Sequence, residues 1–574
     1  MTLFSTLLLA SRLLTLLHLA GDELKLYQVD PLQKVFKETV YLVDQVDTIR
    51  AACGEYATVQ IVMKARQEIR DIGLKVVGIQ SETGARLEGA TVGWVGYVPI
   101  GRSYSDPAPD IIRTLSGYFP DPILTDSLFT AEAGEVQPLW ITIPVNAIAT
   151  PGLYAGKIEI TGKIKQRTHT WNKTFYIRVY PVRLGKSPLL MTNWSSHFDS
   201  SSMRFLNNGQ PVERYSPLYW DLISLYAKTM SEHRQNVFRI FPTWHTLYTL
   251  DADGKYTFDF SRFDREVEIY EKEGALRLIE GGHLAWRSGT WNSDFYVEVP
   301  LRDDEESHSL HASPCPQKVE NGLRFVILPV NDPRAKNFLT QFLPALRSHL
   351  SEKGWLDKYV QHIGDEPTAQ NAESYAKIST YIRKYMPGVR LIDAVLASKE
   401  LAGTIDIWVP VLQVLHHNQG FFQDLKKQGK EVWYYTCTNP RGNYANRFIE
   451  LPLIKTRYLH WINFKYDLPG FLHWGLNFWN DDPFHSTASR DAGKLPAGDH
   501  AIIYPGYRKI YSSIRYEAER DGIDDYQLLR MLEKKDPAKA YALANGLIMN
   551  YDNYDTSIPF FRKTRKELLE ALSY

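Results

Sequence analysis

The chain has 574 residues, more than one hydrophobic core usually holds, so two or more domains are expected. It is 44% apolar and 23% charged, which excludes wholesale disorder, and 66 Lys+Arg balance 66 Asp+Glu, so no basic field draws nucleic acid or anionic lipid. Aromatic residues make up 13% of the chain (14 Trp, 34 Tyr, 25 Phe), an excess that serves either a core or a surface that must be apolar on its face and hydrogen-bonding at its edge.

Residues 1–22 form the one membrane-like stretch. Arg12 interrupts its apolar run and leaves pieces too short for a bilayer core of roughly 30 Å. The segment reads as a degenerate signal peptide without a basic start, or as an amphipathic helix, and stable membrane insertion is not expected. A secreted, periplasmic or cell-surface location follows from the first reading; a cytoplasmic one stays open under the second. Cys53, Cys315 and Cys437 lie far apart with no metal-ligand spacing, so neither a disulfide scaffold nor a structural zinc site is expected.

Residues 23–186 read as a β-sandwich accessory domain. Leu139, Ile141, Ile143 and Val145 alternate with Trp140, Thr142 and Pro144, and Phe175, Ile177 and Val179 with Tyr176, Arg178 and Tyr180. Period two implies one packed and one wet face, and Thr150-Pro151-Gly152 is a turn signal between runs. From Pro188 the rhythm changes. Eight short apolar runs are expected as strands: Leu189–Trp194, Asn236–Phe241, Arg277–Gly281, Tyr359–Gly364, Arg390–Val395, Ile405–Val411, Glu431–Tyr435 and Gly470–Leu476. Helical patterns lie between them, such as Phe263, Val267 and Tyr270, or Phe338, Phe342, Leu346 and Leu350 behind the Asp332-Pro333 start signal. Eight such alternations over 187–515 predict a (β/α)₈, TIM-like barrel. An open doubly wound sheet is the alternative, but no Gly-rich phosphate turn supports it. The polar stretch Leu301–Glu320 is expected as a solvated loop before the fourth strand, and 516–574 as C-terminal helices packed on the barrel. The whole is an α/β multidomain chain.

Function in such a barrel sits at the carboxyl ends of the strands. The fourth run ends in Gly364-Asp365-Glu366-Pro367, two adjacent carboxylates leaving a buried strand. A direct two-carboxylate glycosidase needs its groups roughly 5 to 10 Å apart across the sugar, which neighbours on one strand cannot readily supply. They suit substrate-assisted hydrolysis, in which the 2-acetamido oxygen attacks the anomeric carbon. One carboxylate then holds the acetamide N–H while the other protonates the leaving oxygen. Close like charges also raise one pKa, which is expected to keep the acid protonated near neutrality. A helix cap or a salt-bridged loop is the structural alternative. The seventh and eighth runs supply Trp433, Tyr435, Trp474, Asn477 and Trp479, and His283, His416 and His417 fall near strand ends, where a satisfied structural imidazole is the commoner outcome. Trp and Tyr beside fixed donors suit a sugar pocket, although any single buried Trp is as readily core. No HExxH or similar spacing implies a metal, and no cofactor is implied.

The segments Gly364–Pro367, Val432-Trp-Tyr-Tyr-Thr436, Gly470-Phe-Leu-His-Trp474 and Ser512–Tyr526, in that order, together resemble glycoside hydrolase family 123, and Gln137–Trp140 and Pro151–Gly156 resemble its N-terminal β-sandwich. The resemblance implies an exo-acting, retaining β-N-acetylgalactosaminidase that works through an oxazolinium intermediate on glycans, including those of glycosphingolipids. By position, Asp365 would polarise the acetamide and Glu366 would be the general acid/base. Tyr435 is the candidate hydrogen bond to the acetamide carbonyl and Trp474 the wall behind it. Asn477, Trp479, His283 and His416 complete the candidate substrate-binding set. Arg515, Glu517, Arg520 and Asp521 are expected to form a structural charge network. The same architecture could serve a β-N-acetylglucosaminidase, or a catalytically silent carbohydrate-binding protein. Oligomeric state cannot be read from the chain.

Overall fold

A computed structural model describes residues 23–101, 110–113, 116–125, 128–196, 200–313, 320–487 and 495–574. The leader-like residues 1–22 and Cys315 lie outside them. Among the described residues no helix is long and apolar enough to cross a membrane. The chain is a mixed α/β, multidomain protein.

Between Leu24 and Arg183 two five-stranded sheets share one apolar cluster. Leu139, Ile141 and Ile143 enter it from one sheet, and Ile158, Ile160, Phe175 and Ile177 from the other. The alternation therefore places the packed face as expected. The opposite face is not uniformly wet: Trp140 is buried in the larger cluster formed by the rest of the chain, and the Thr142 hydroxyl donates to Glu517 of the helix Ile514–Lys535. A sheet covered on both faces keeps its inward alternation but loses its polar side.

Eight parallel strands follow: β1 (Leu190–Asn193), β2 (Val237–Ile240), β3 (Leu278–Gly281), β4 (Tyr359–Gln361), β5 (Arg390–Val395), β6 (Ile407–Pro410), β7 (Glu431–Val432 and Tyr434–Thr436) and β8 (Gly470–His473). Each falls inside an expected run except the last residue of β7. They pair in two parallel sheets, β2-β3-β4-β5-β6-β7 and β1-β8-β7, which share the two halves of β7. Asn236 joins β1 to the start of β2: its backbone N–H donates to Met191 O at 3.2 Å, its side chain accepts from Met191 N at 2.9 Å, and its amide donates to Leu189 O. These strands are mostly buried, and their apolar runs are broken by polar residues such as Arg239, Glu280, Gln361 and Asp393.

One expectation changes. Leu301 and Arg302 are not loop but the end of a strand in a three-stranded antiparallel sheet, Ala285–Arg287, Phe295–Arg302 and Leu323–Leu328, inserted between β3 and β4, while most of the described residues of 303–313 are exposed. Val297, Val299, Val326 and Leu328 bury its inner face, which is what holds the insertion against the core. The C-terminal helices Ile514–Lys535, Pro537–Leu547 and Ile558–Ser573 form as the apolar spacing predicts.

Candidate active site

The ends of β1, β2, β3, β4, β7 and β8 and the hairpin of the inserted sheet surround a cavity of about 390 Å³. Asp365 and Glu366 enter it from the turn after β4. Two features shape this turn. Gly364 is obligatory because a Cβ there would stand 2.4 Å from the Phe295 ring. Glu366 adopts φ +42°, a left-handed conformation that disfavours a side-chain-bearing residue by about 1–3 kcal/mol and persists where neighbours fix it. Arg287 is that neighbour: its Nη2 donates to the carbonyls of Asp365 (2.6 Å) and Glu366 (2.8 Å).

Removal from water pushes the Asp365 carboxyl up to about 6, and the adjacent Glu366 charge adds to this while Arg287 opposes it. The group lifted toward neutrality is thus Asp365, the candidate acetamide partner, whereas the sequence leads one to expect the raised carboxyl to be the general acid. The Tyr435 hydroxyl donates to Glu366 Oε1. Its expected hydrogen bond to a substrate carbonyl is therefore replaced, in the free site, by one that orients the second carboxylate.

Below the pair lies a fully buried charge triad. His362 donates from Nδ1 to Asp393 (2.5 Å) and from Nε2 to Glu280 (2.7 Å). Burial alone would lower its pKa, yet the two carboxylates hold it at about 9, so the ring is an imidazolium. Glu280 also accepts from Trp194 Nε1 (2.8 Å) and Thr192 (2.7 Å), which fixes the Trp194 indole in the pocket wall. Arg239 stacks 4.0 Å above that indole and burial lowers its pKa to about 10, with Glu280 and Asp365 pulling the other way. His283, His362 and Asp393 bring three possible ligand atoms within 4.8 Å of one another. Both His362 nitrogens are engaged by carboxylates, so the cluster reads as an ion-pair network.

Aromatic rings make the walls. Phe241 and Trp244 stack at 3.9 Å, Trp286 lies parallel to Trp244 at 6.0 Å, and Glu298 accepts from Trp244 Nε1 at 2.8 Å. On the β8 side Trp474 donates to Asp499, whose carboxyl burial raises to about 7 against the pull of Arg447 and other arginines.

Of the residues singled out in the sequence, Asp365, Glu366, Tyr435, Trp474 and His283 line this cavity. His283 is buried, and burial together with His362, Arg239 and Arg287 keeps it neutral. Asn477, Trp479 and His416 are not among the lining residues. Asn477 is fully buried and bonds Ser196 N and Tyr226 OH, while Trp479 donates to Ile503 O. His416 sits on the helix Leu412–His417 and contacts Tyr444 OH and the Tyr551 ring. Their polar atoms are engaged within the fold. Sequence reading passed over Arg239, Arg287, Trp194, Trp244, Trp286, Trp291 and Asp499. Trp194 was legible, since it ends the first expected run.

Consecutive carboxylates at a parallel-strand end, inside an aromatic-walled cavity, suit a glycoside hydrolase. The chain belongs to glycoside hydrolase family 123: the family's catalytic domain matches residues 206–532 and its N-terminal domain residues 36–162. A solved family 123 glycoside hydrolase from Clostridium perfringens, described for glycolipid glycan hydrolysis, superposes with TM-score 0.70 at 17% identity over 96% of this chain and 97% of that one, a likeness of fold. A Parabacteroides merdae β-glucuronidase (TM-score 0.29, 10% identity, 80% of this chain and 49% of that one) and a Vibrio harveyi GH20 exo β-N-acetylglucosaminidase (0.25, 10%, 90% and 99%) are too distant to carry an argument. No curated protein sequence matches significantly.

Proposed function

We propose that the chain is an exo-acting, retaining β-N-acetylgalactosaminidase that uses the substrate's acetamide as nucleophile. The observation that carries this reading is the adjacency of Asp365 and Glu366 at the end of β4, both lining one cavity. Two neighbouring carboxylates on one turn cannot readily stand on opposite faces of a sugar ring, so the nucleophile must come from the substrate. Asp365 accepts the acetamide N–H as the carbonyl oxygen bonds to C1. Glu366, oriented by Tyr435, gives its proton to the glycosidic oxygen as the C1–O bond breaks. It then takes a proton from the water that opens the oxazolinium at C1, and the configuration is retained. Trp474 closes the acetamide side.

In the same reading the two parallel sheets are arcs of a (β/α)₈ barrel stitched at Asn236, and the 23–186 sheets form an accessory sandwich. The family 123 membership supports the reaction class, and the Clostridium enzyme's glycolipid glycans suggest the substrate class. Hydrolysis of aryl β-GalNAc against aryl β-GlcNAc, with the first-formed anomer read by NMR, tests it. Preferential release of β-GalNAc as the β-anomer is expected; an α-anomer, or preference for β-GlcNAc, overturns it.

A further inference from the structure

Resting on that reading, we propose that Trp291 is the platform for the sugar on the leaving side of the scissile bond, a neutral hexose. Trp291 lines the catalytic cavity yet is 53% exposed, so it is not core. The Arg287 guanidinium lies 3.8 Å from its ring centroid and covers one face, which leaves the other open. The backbone beneath is pinned: Arg287 Nε donates to the Trp291 carbonyl at 2.7 Å and Asn371 Nδ2 at 3.3 Å. An exposed indole on a fixed backbone loses little freedom when it binds, which favours stacking.

The placement selects the occupant. The arginine that seats Trp291 also bonds the Asp365 and Glu366 carbonyls, so indole and carboxylate pair are parts of one assembly, and the exposure of Trp291 puts it at the cavity mouth, where the leaving sugar of an exo-acting enzyme lies. A general acid must reach the glycosidic oxygen, so the leaving sugar sits on the Glu366 side. The C–H face of a hexose fits an indole face, while its hydroxyls stay in water at the cavity mouth. Trp194 and Trp244 are buried and Trp286 and Trp474 half-buried, so Trp291 alone among the lining tryptophans is mostly open.

The test compares a GalNAc-β-galactoside disaccharide with the GalNAc-derived oxazoline, which has no leaving sugar. In Trp291→Ala the ratio of disaccharide to oxazoline kcat/KM should fall tenfold or more, and Trp291→Phe should restore it to within about threefold. Circular dichroism and the unfolding midpoint establish that both variants fold. An unchanged ratio, or an equal fall on both substrates, overturns the platform. Wild-type enzyme that turns over neither substrate instead overturns the reading beneath it.

Discussion

Replacing Arg287 with Met isolates what holds the catalytic turn. The guanidinium donates to two consecutive carbonyls, at 2.6 Å from Asp365 and 2.8 Å from Glu366. Hydrogen bonds from a charged donor contribute about 1.5–3 kcal/mol each, so the pair outweighs the roughly 1–3 kcal/mol opposing the left-handed Glu366. Met keeps the apolar stem and removes both bonds, which lets the turn relax and misplaces the two carboxylates. If about 3 kcal/mol of organisation is lost from the transition state, kcat falls about a hundredfold. Arg287 also holds the Asp365 pKa down, so its loss raises that pKa above about 6. The acid limb of the kcat/KM–pH profile then moves to higher pH, because Asp365 must be ionised to accept the acetamide N–H. Arg287→Lys should keep the limb nearer its place but not recover kcat, since an ammonium lacks the guanidinium's fork. Steady-state kinetics on aryl β-GalNAc across pH, with thermal unfolding as control, measures all three. A kcat within about threefold of wild type and an unmoved acid limb would refute the positioning role.

Three further outcomes follow from the same geometry. Asp365→Asn and Glu366→Gln should each lower aryl β-GalNAc release by about 10²–10⁴-fold at unchanged unfolding midpoint, as initial rates and calorimetry will show. For the wild type, kcat/KM should decline as pH falls through about 6, where Asp365 takes up a proton; an activity plateau reaching well below that value contradicts its role. Asp121→Asn removes the buried partner of Arg515, whose Nη2 lies 2.7 Å from it with both side chains fully buried. An uncompensated buried charge destabilises by about 3–5 kcal/mol, so the calorimetric midpoint should drop distinctly.

The parallel strands were legible because burial on both faces makes each a short apolar run, and β4 announced its site because Asp365-Glu366 breaks such a run between Gly364 and Pro367. The inserted sheet was illegible for the opposite reason. Glu298 and Pro300 interrupt Phe295–Arg302 where a strand pattern should hold, and the acidic run from Asp303 reads as solvent-facing. Glu298 is in fact fully buried, receiving Trp244 Nε1 and the Ser313 hydroxyl. Arg239 escaped notice because it lies inside β2, where attention to strand ends does not reach. His416 misled because proximity to β6 in sequence says nothing of the helix Leu412–His417, which engages it with Tyr444 and Tyr551. Arg287 reaches Asp365 and Glu366 from a hairpin nearly eighty residues upstream, which also brings Trp291 to the same cavity, and no local pattern encodes that meeting.

The charge network of Ser512–Tyr526, structural by the sequence reading, also bears on the site. Glu519 pairs with Arg447, and Arg447 Nη1 donates to Asn193 at the end of β1 while Nη2 donates to the Gly475 carbonyl just after Trp474. The ends of β1 and β8 are thereby fixed to one guanidinium, with Trp194 and Trp474 the next residues along each strand. Arg447 and Glu519 are both buried, and replacing such a pair by apolar groups is often neutral or stabilising. Stability alone therefore gives weak reason for charges there. What the pair supplies is direction: apolar packing would fill the same space without specifying where two carbonyl-type acceptors, and the indoles beyond them, must stand. The balanced charge of the chain has the same sense, since many of its arginines, among them Arg457, Arg515 and Arg565, face carboxylates inside the fold. Five of the 14 tryptophans line the cavity that these pairs surround, so the aromatic excess is divided between core and pocket.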